Sequence, residues 1–284
     1  MFNEDVIDAL ASFTQNFAIP CLLFRAISEI DVNTSISAPL ILSYYIGAFT
    51  SFGAGYFGAR LVFQRSRADA VAIAFCCLFS NTILLGLPIT ERAYGPEILS
   101  YNFWIIAFHA PLCYLLGVSA MEMARNHAAP FRQKSLRVLR VMFRNPFVIA
   151  IALGFVVNFT NLPIPSPLIS SLDLMAQSAL PMALFALGGI LVGYRLEGDM
   201  KTIVMIGAIS LVLHPLIVMG VGKAFLLDQD ALRSAVLTAS MAPGVNVYVF
   251  ANMYGAERRV AAAAVLGTTV VSMVTILIWI YVLG

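Results

Sequence analysis

Ala179-Leu180-Pro181-Met182-Ala183-Leu184-Phe185 reads Ala-aliphatic-Pro-x-x-Leu-Phe, and Ala18-Ile19-Pro20-Cys21-Leu22-Leu23-Phe24, about 160 residues earlier, reads the same. Tyr94-Gly95-Pro96-Glu97 is echoed by Tyr254-Gly255-Ala256-Glu257 at almost the same offset. Either match alone is short enough to be chance. Two in one order at one period point to a duplicated unit, and the content of that unit decides the function.

The chain is 60% hydrophobic and 11% charged over 284 residues, with a mean hydropathy of +0.88. Soluble domains carry about a quarter charged residues, so the composition excludes them and implies a polytopic membrane protein. Cys21, Cys76, Cys77 and Cys113 all lie in apolar runs, where cysteine packs as a small hydrophobe. Their spacing gives neither a disulfide framework nor a metal-binding pattern. Neither a metal, a cofactor nor a nucleic-acid partner is expected. Glu4, Asp5 and Asp8 precede the first apolar run without a basic segment, which argues against a cleaved signal peptide.

Crossing the hydrocarbon takes about 20 apolar residues. Nine stretches qualify: 5–26, 37–61, 68–90, 98–122, 145–161, 167–194, 202–224, 230–253 and 258–282. The basic residues alternate across the connections. Arg60, Arg65 and Arg67, the group from Arg125 to Arg144, Arg195 with Lys201, and Arg258 with Arg259 fall on one side; Arg25, Arg92, Lys223 and Arg233 fall on the other. Thirteen against four makes the first side cytoplasmic, with residue 1 inside and residue 284 outside. The two Pro-x-x-Leu-Phe spans are the first and sixth, so the period is five helices. An odd period turns the second copy upside down, which is the inverted-repeat plan of secondary transporters. The second copy has a leading helix (145–161) that the first copy lacks.

The third and eighth spans occupy equivalent places in the copies, and both are interrupted. One reads Phe79-Ser80-Asn81-Thr82-Ile83-Leu84-Leu85-Gly86-Leu87-Pro88, the other Ser240-Met241-Ala242-Pro243-Gly244-Val245-Asn246-Val247-Tyr248. Proline removes a backbone donor and glycine eases unwinding. Opened backbone at membrane depth persists only against protein or a water-filled cavity. Tolerated proline kinks would explain either span alone. Both together, each with an asparagine close by, favour paired breaks whose half-helix ends can hold an anion near the midplane.

Asn81-x4-Gly86-x-Pro88 followed by Tyr94-Gly95 resembles the first crossover of the auxin efflux carrier family. Arg144-Asn145-Pro146 resembles that family's entry into its second half, and Ala179 to Gly188 its next helix. Pro243 with Phe250-Ala251-x-x-Tyr254 resembles its second crossover. The likeness runs in order over essentially the whole chain. It implies an all-α polytopic membrane protein with inverted five-helix repeats and crossed broken helices, similar to sodium/proton antiporters, here without the first helix of the first repeat. The divisions would be 1–122 for the first repeat, 123–144 for a short cytoplasmic basic loop like that of bacterial members, and 145–284 for the second repeat. The resemblance also implies transport of organic anions such as malonate, malate or auxin-type carboxylates. The setting would be the cell (inner) membrane, and the assembly a homodimer formed through scaffold helices from spans one, five and six. Spans two to four and seven to nine would then be the core.

Among individual residues, Asn81 and Asn246 offer donors and acceptors in otherwise apolar helices and are the leading substrate contacts. Ser80, Thr82 and Ser240 could add hydroxyls, although such groups commonly bond a carbonyl one turn back. Gly86, Pro88, Pro243 and Gly244 would shape the crossover. Gln177 with Ser178, and Gln15 with Asn16, precede the paired prolines and are further cavity candidates, against a reading as interhelical hydrogen bonds. His109 and His214 lie mid-span and are the candidates for proton coupling, against a reading as neutral core histidines. Sodium coupling is the alternative, as in a bile-acid-type symporter of related architecture. No span pairs two acids in the manner of a carboxylate antiporter, and no HExxH, aspartate pair or serine-histidine arrangement supports an intramembrane enzyme; a non-transporting sensor is the other competing class. Gly53-Ala54-Gly55-Tyr56-Phe57-Gly58 spells a dinucleotide fingerprint without the strand that motif needs. Close helix packing explains it better, as it does Gly189-x-x-x-Gly193.

Overall fold

The computed structural model describes residues 4–29, 37–125, 145–193 and 199–284. The basic residues expected in the central loop beyond Arg125, and Arg195, lie outside these. Among the described residues the structure is helical throughout, with no strand. Helix α1 (Glu4–Phe13) runs through a π-helical turn (Thr14–Ala18) into α2 (Ile19–Glu29). The second span is α3 (Ala38–Leu61). The third is split into α4 (Arg67–Leu78) and, after a π turn at Thr82–Gly86, α5 (Leu87–Tyr94). Then come α6 (Leu99–Ala124), α7 (Pro146–Thr160) and α8 (Ser166–Gly193). The seventh span is α9 (Met200–Ala208), a π turn (Ile209–Leu213) and α10 (His214–Ala224). The eighth is split into α11 (Gln229–Ala239) and α12 (Asn246–Tyr254), and α13 (Arg258–Leu283) closes the order.

By length and apolar composition, five stretches of described helix suffice to cross a membrane: Ala9–Glu29, Leu99–Ala124, Ser166–Ala186, Met200–Ala224 and Arg258–Leu283. The half-helices of the third and eighth spans are individually too short. Both α4 and α11 are nevertheless buried almost all round, from Ala70 to Leu78 and from Ser234 to Ala239. A short helix in an apolar medium needs such cover, because its open ends must be met by protein. Where helices begin in polar loops, side chains cap them: Ser37, Ser66, Asn145, Asp199 and Asp228 accept from the first-turn amides of Leu40, Asp69, Phe147, Lys201 and Ala231.

Each of the three π turns is followed at once by a residue and a proline: Ile19-Pro20, Leu87-Pro88 and His214-Pro215. Proline has no N–H for the carbonyl four residues back and its ring crowds that carbonyl. The extra residue of a π turn relieves the crowding. The orphaned acceptor still needs a donor, and at Pro215 it has one. The indole N–H of Trp279 in α13 donates to the carbonyl of Leu211 at 2.9 Å.

The repeated Tyr-Gly pairs of the sequence have one structural job. Tyr94 ends α5 and Tyr254 ends α12, and the glycine after each is the C-cap, with φ of 90° at Gly95 and 63° at Gly255. That left-handed region suits glycine. An arginine faces each tyrosine ring: Arg233 lies 5.0 Å from the Tyr94 centroid and Arg125 5.2 Å from that of Tyr254. Arg125 also donates to the Tyr254 carbonyl.

Buried side chains fall into two clusters. One joins α2, α7 and α8 through Ala18, Ile19, Leu23, Ile27, Ala150, Ile151, Ala179, Leu180 and Ala183, and it touches Leu84, Leu87 and Ile106. The larger draws on α3, α4, α6 and α9 to α13. Its centre is a stack of Phe75 from α4 on Phe250 from α12, with centroids 4.0 Å apart and planes 14° from parallel. Lipid offers no hydrophobic drive between helices, so packing this close is what joins the two broken spans. Small residues permit it. A Cβ on Gly117 would lie 2.5 Å from the Phe75 ring, one on Gly55 2.7 Å from the Cys77 sulfur and one on Gly58 2.6 Å from the Met205 sulfur. Gly55 and Gly58 therefore serve helix contacts within α3, as does Gly189 against Ile7, 2.7 Å from its would-be Cβ. A buried hydrogen-bond hub adds polar fixation. Asn102 donates to Thr238 at 2.7 Å and Thr90 at 3.3 Å and accepts from Ser234 at 2.7 Å, tying α5, α6 and α11 together.

Candidate functional site

The two interruptions cross. Helix α4 stops at Leu78 and α11 at Ala239, and the non-helical chain beyond each meets the other. Ser80 and Pro243 form an antiparallel bridge. The Asn81 N–H donates to the Ala242 carbonyl at 2.8 Å and the Gly244 N–H to that of Phe79 at 3.0 Å. Two unwound stretches thus satisfy one another's backbone in the middle of the protein. Proline in the second stretch is compatible with this, because the bonds use the carbonyl of Ala242 before it and the N–H of Gly244 after it. Of the four residues expected to shape the crossover, Pro243 and Gly244 form the bridge itself. The Gly86 N–H closes the π turn on the Asn81 carbonyl at 2.9 Å, and Pro88 opens α5.

Beside the crossover lies a cavity of about 90 Å³. Phe79 to Leu84 wall it from the third span, and Gly244, Val245, Asn246 and Val249 from the eighth. The fourth span contributes Ile106, His109 and Ala110, and Gln15 with Asn145, Phe147, Val148 and Ile151 comes from the first and fifth spans. The cavity therefore sits where the larger cluster meets the smaller one. Its wall is mostly apolar with a few convergent polar groups, the usual make-up of a small-molecule site.

Asn81 is 5% exposed. Its carbonyl oxygen accepts from the Leu84 N–H at 3.1 Å and caps the π turn. Its amide nitrogen is buried and has no partner in the protein. An unpaired buried donor costs about 1–3 kcal/mol, a cost that an acceptor in the cavity would offset. Asn246 is the first residue of α12, and its side-chain oxygen accepts from the Tyr114 hydroxyl at 3.4 Å. Ser80 and Thr82 also line the cavity; the Ser80 hydroxyl lies 3.4 Å from both the Ala239 carbonyl and Nδ1 of His214.

The remaining candidates are placed elsewhere. Ser240 is fully buried and donates to the Leu237 carbonyl at 2.8 Å, within its own helix end. Gln177 is exposed and outside the cavity wall, and Ser178 donates to the Met175 carbonyl. Of the other pair, Gln15 reaches the wall while Asn16 is exposed and bonds Ser12. His109 lines the cavity; His214 is fully buried behind Ser80. Asn145, Phe147, Val148, Ile151 and Tyr114 enter the site without having been singled out as contacts in the sequence. Only Asn145 carried a sign, as part of the Arg-Asn-Pro opening of the fifth span. Among the described residues no group of His, Cys, Asp and Glu could hold a metal ion.

Comparison with known proteins gives the family. The family model for membrane transport protein matches residues 1–280. A Rhizobium meliloti protein named "Putative malonate transporter" is 27% identical over 94% of this chain and 84% of its own length. "Uncharacterized transporter YfdV" of Escherichia coli is 24% identical over 99% of this chain and 90% of its own. "Auxin efflux carrier component 8" of Arabidopsis thaliana is 20% identical over the whole of this chain and 91% of its own. These relatives are transporters and not enzymes. With the match spanning nearly every residue, the chain belongs to the membrane transport protein family, the one to which its likeness to the auxin efflux carriers pointed.

Proposed function

We propose that the protein is a secondary carrier for small organic anions of the malonate, malate or auxin-type carboxylate class, working by alternating access. The observation that carries this reading is the unpartnered amide of Asn81, buried at the crossover and on the wall of a cavity. A carboxylate accepts the hydrogen bonds that this group offers. The N-terminal turns at Thr82 and Asn246 add the positive end of two helix dipoles at the same wall. Thr82, Ser80 and Asn246 complete the polar side.

In this reading residues 1–122 and 145–284 are inverted repeats joined by the basic loop 123–144. The first, fifth and sixth spans form a scaffold against which the rest moves, and the placement of the cavity between the two buried clusters supports that division. Homodimerisation would use the scaffold, whose α7 and α8 leave Leu153, Val156, Phe159 and Leu174 exposed. The protein would reside in the cell (inner) membrane with the Arg65 and Arg125 end cytoplasmic.

The test is reconstitution of the purified chain into liposomes and uptake of labelled malonate, malate and indole acetate, with and without sodium. Saturable uptake of at least one is expected. Its absence for all three would overturn the reading, and a strict sodium requirement would move the protein toward the bile-acid-type symporters.

A further inference from the structure

An anion carrier needs something to offset the charge it takes into an apolar medium, yet among the described residues the cavity wall has no arginine or lysine. It has no aspartate or glutamate either. Among the described residues His109 is the single ionisable side chain on that wall. It is 2% exposed, and its Nε2 has no hydrogen-bond partner in the protein. The ring's polar neighbours are the Cys113 sulfur, 3.8 Å from Nδ1 and one turn along α6, and the Ser80 backbone. The Phe79 ring packs edge-on at 4.5 Å between centroids.

Resting on the carrier reading, we propose that His109 is the coupling residue: a proton bound on its imidazole enters the cavity together with the carboxylate. Neutral donors such as the Asn81 amide orient an anion but leave its net charge in place. An imidazolium on the same wall cancels one unit of it, and the pair crosses at lower cost than the bare anion. The anion in turn holds the proton, so each ligand tightens the binding of the other by the same factor.

The surroundings of His109 supply no carboxylate, arginine or lysine, and the imidazole of His214 is the one other ionisable cation that acts on it electrostatically. The titratable groups facing it are Tyr44 and Tyr45 from α3, with centroids at 5.8 Å and 6.5 Å, and Cys113 from α6 itself. His214 of α10 stands beyond Tyr44, 5.3 Å from that ring. The α4 end offers Phe79 and the uncharged Ser80, and α12 offers Asn246 and Val249. The two histidines thus separate in role. His214 is sealed, tightly packed against Gly47, and has Nδ1 at 3.4 Å from the Ser80 hydroxyl, so it positions the crossover. His109 meets the cavity.

The experiment loads liposomes containing the purified chain with a pH-sensitive dye and drives malonate inward. Proton entry in step with malonate is expected. KM for malonate should be flat at low pH and rise about tenfold per pH unit on the alkaline side, as obligatory protonation requires. His109→Gln should abolish malonate-driven proton entry and flatten that pH dependence, with folding checked by thermal unfolding. The wild-type proton count needs no variant, so a misfolded variant cannot protect the proposal. Malonate uptake without proton entry, or proton entry that survives in folded H109Q, overturns the coupling role and leaves the carrier reading standing. If no carboxylate is taken up by the wild type, the carrier reading falls and the coupling role falls with it.

Discussion

In the carrier reading Asn81 does two jobs with the two ends of one carboxamide, and Asn81→Ser separates them. The carbonyl end caps the π turn by accepting from Leu84 at 3.1 Å, while the amide end points to no protein partner. Serine caps about as well as asparagine, so its hydroxyl can take the Leu84 N–H, and it carries no amide to reach further. Asn81→Ala removes cap and donor together. The loss of a cap costs about 0.5–2 kcal/mol of stability. A hydrogen bond to a charged ligand contributes about 1.5–3 kcal/mol, which is roughly ten- to hundredfold in affinity. N81S should therefore keep nearly wild-type thermal stability in detergent while its KM for the transported carboxylate rises at least tenfold. N81A should show the same kinetic loss and a lower melting temperature. Counterflow exchange of labelled substrate gives the kinetic readout without dependence on any gradient. An N81S protein whose KM stays within about twofold of wild type would refute the assignment of the amide to the substrate. Equal stability of N81S and N81A would refute the capping role.

Gly117→Ala places a Cβ 2.5 Å from the Phe75 ring and should cost about 1–3 kcal/mol by overpacking, whereas Gly53→Ala, with nothing within 4 Å, should be neutral or slightly stabilising; thermal unfolding of the pair decides it, and equal melting temperatures would contradict the packing argument. Trp279→Phe keeps the ring but leaves the Leu211 carbonyl without its indole donor, a loss of about 1–3 kcal/mol for a buried unsatisfied group, and a variant as stable as wild type would mean that another donor reaches that carbonyl. At the face that holds Arg65, the Asp199 carboxyl is held below its ordinary value by the Thr202 hydroxyl, then by the Lys201 amide and by Arg65 at 2.9 Å. Its stabilising share is therefore present above the ordinary carboxylate range and lost as pH falls through the lowered value. Glu257, pushed up chiefly by burial although Arg65 lies 3.4 Å away, acts in the opposite sense. Asp199→Asn should lessen the acid-side fall in melting temperature, and an unchanged acid limb would count against this role of Asp199.

How much of this was legible in the sequence depends on whether a feature is local. Tyr-Gly at two places, Pro-x-x-Leu-Phe at two places and the apolar run lengths are local, and each gave its element with boundaries within a few residues. The eighth span was expected over 230–253, and α11 with α12 covers Gln229–Tyr254. The breaks were legible only as a pair, because a proline inside an apolar run can also sit in a continuous helix, as Pro111 and Pro181 do. What the breaks meet was not. Nothing in Phe79-Ser80-Asn81 specifies that its amides and carbonyls pair with Ala242 and Gly244, since that is a contact between residues about 160 apart. The same holds for Gln15 and Gln177. The two precede equivalent prolines and look alike in sequence, yet only Gln15 reaches the cavity wall.

The prolines make the point in energetic terms. Pro20, Pro88 and Pro215 announce that a helix will be disturbed, and the π turn before each shows how the backbone absorbs the ring. The carbonyl left behind is a debt that sequence cannot place, since any donor at the right height on any neighbouring helix could satisfy it. At Leu211 the donor is Trp279, 68 residues away. At the crossover the two broken spans bond each other's main chain, while the side-chain amide of Asn81, like Nε2 of His109 and of His214, has no partner in the protein. In an apolar medium an unpaired polar group is costly, and a ligand or water that takes the missing partner's place removes the cost. In the carrier reading the substrate is what meets the Asn81 amide, on the wall of the cavity that lies where the two buried clusters adjoin.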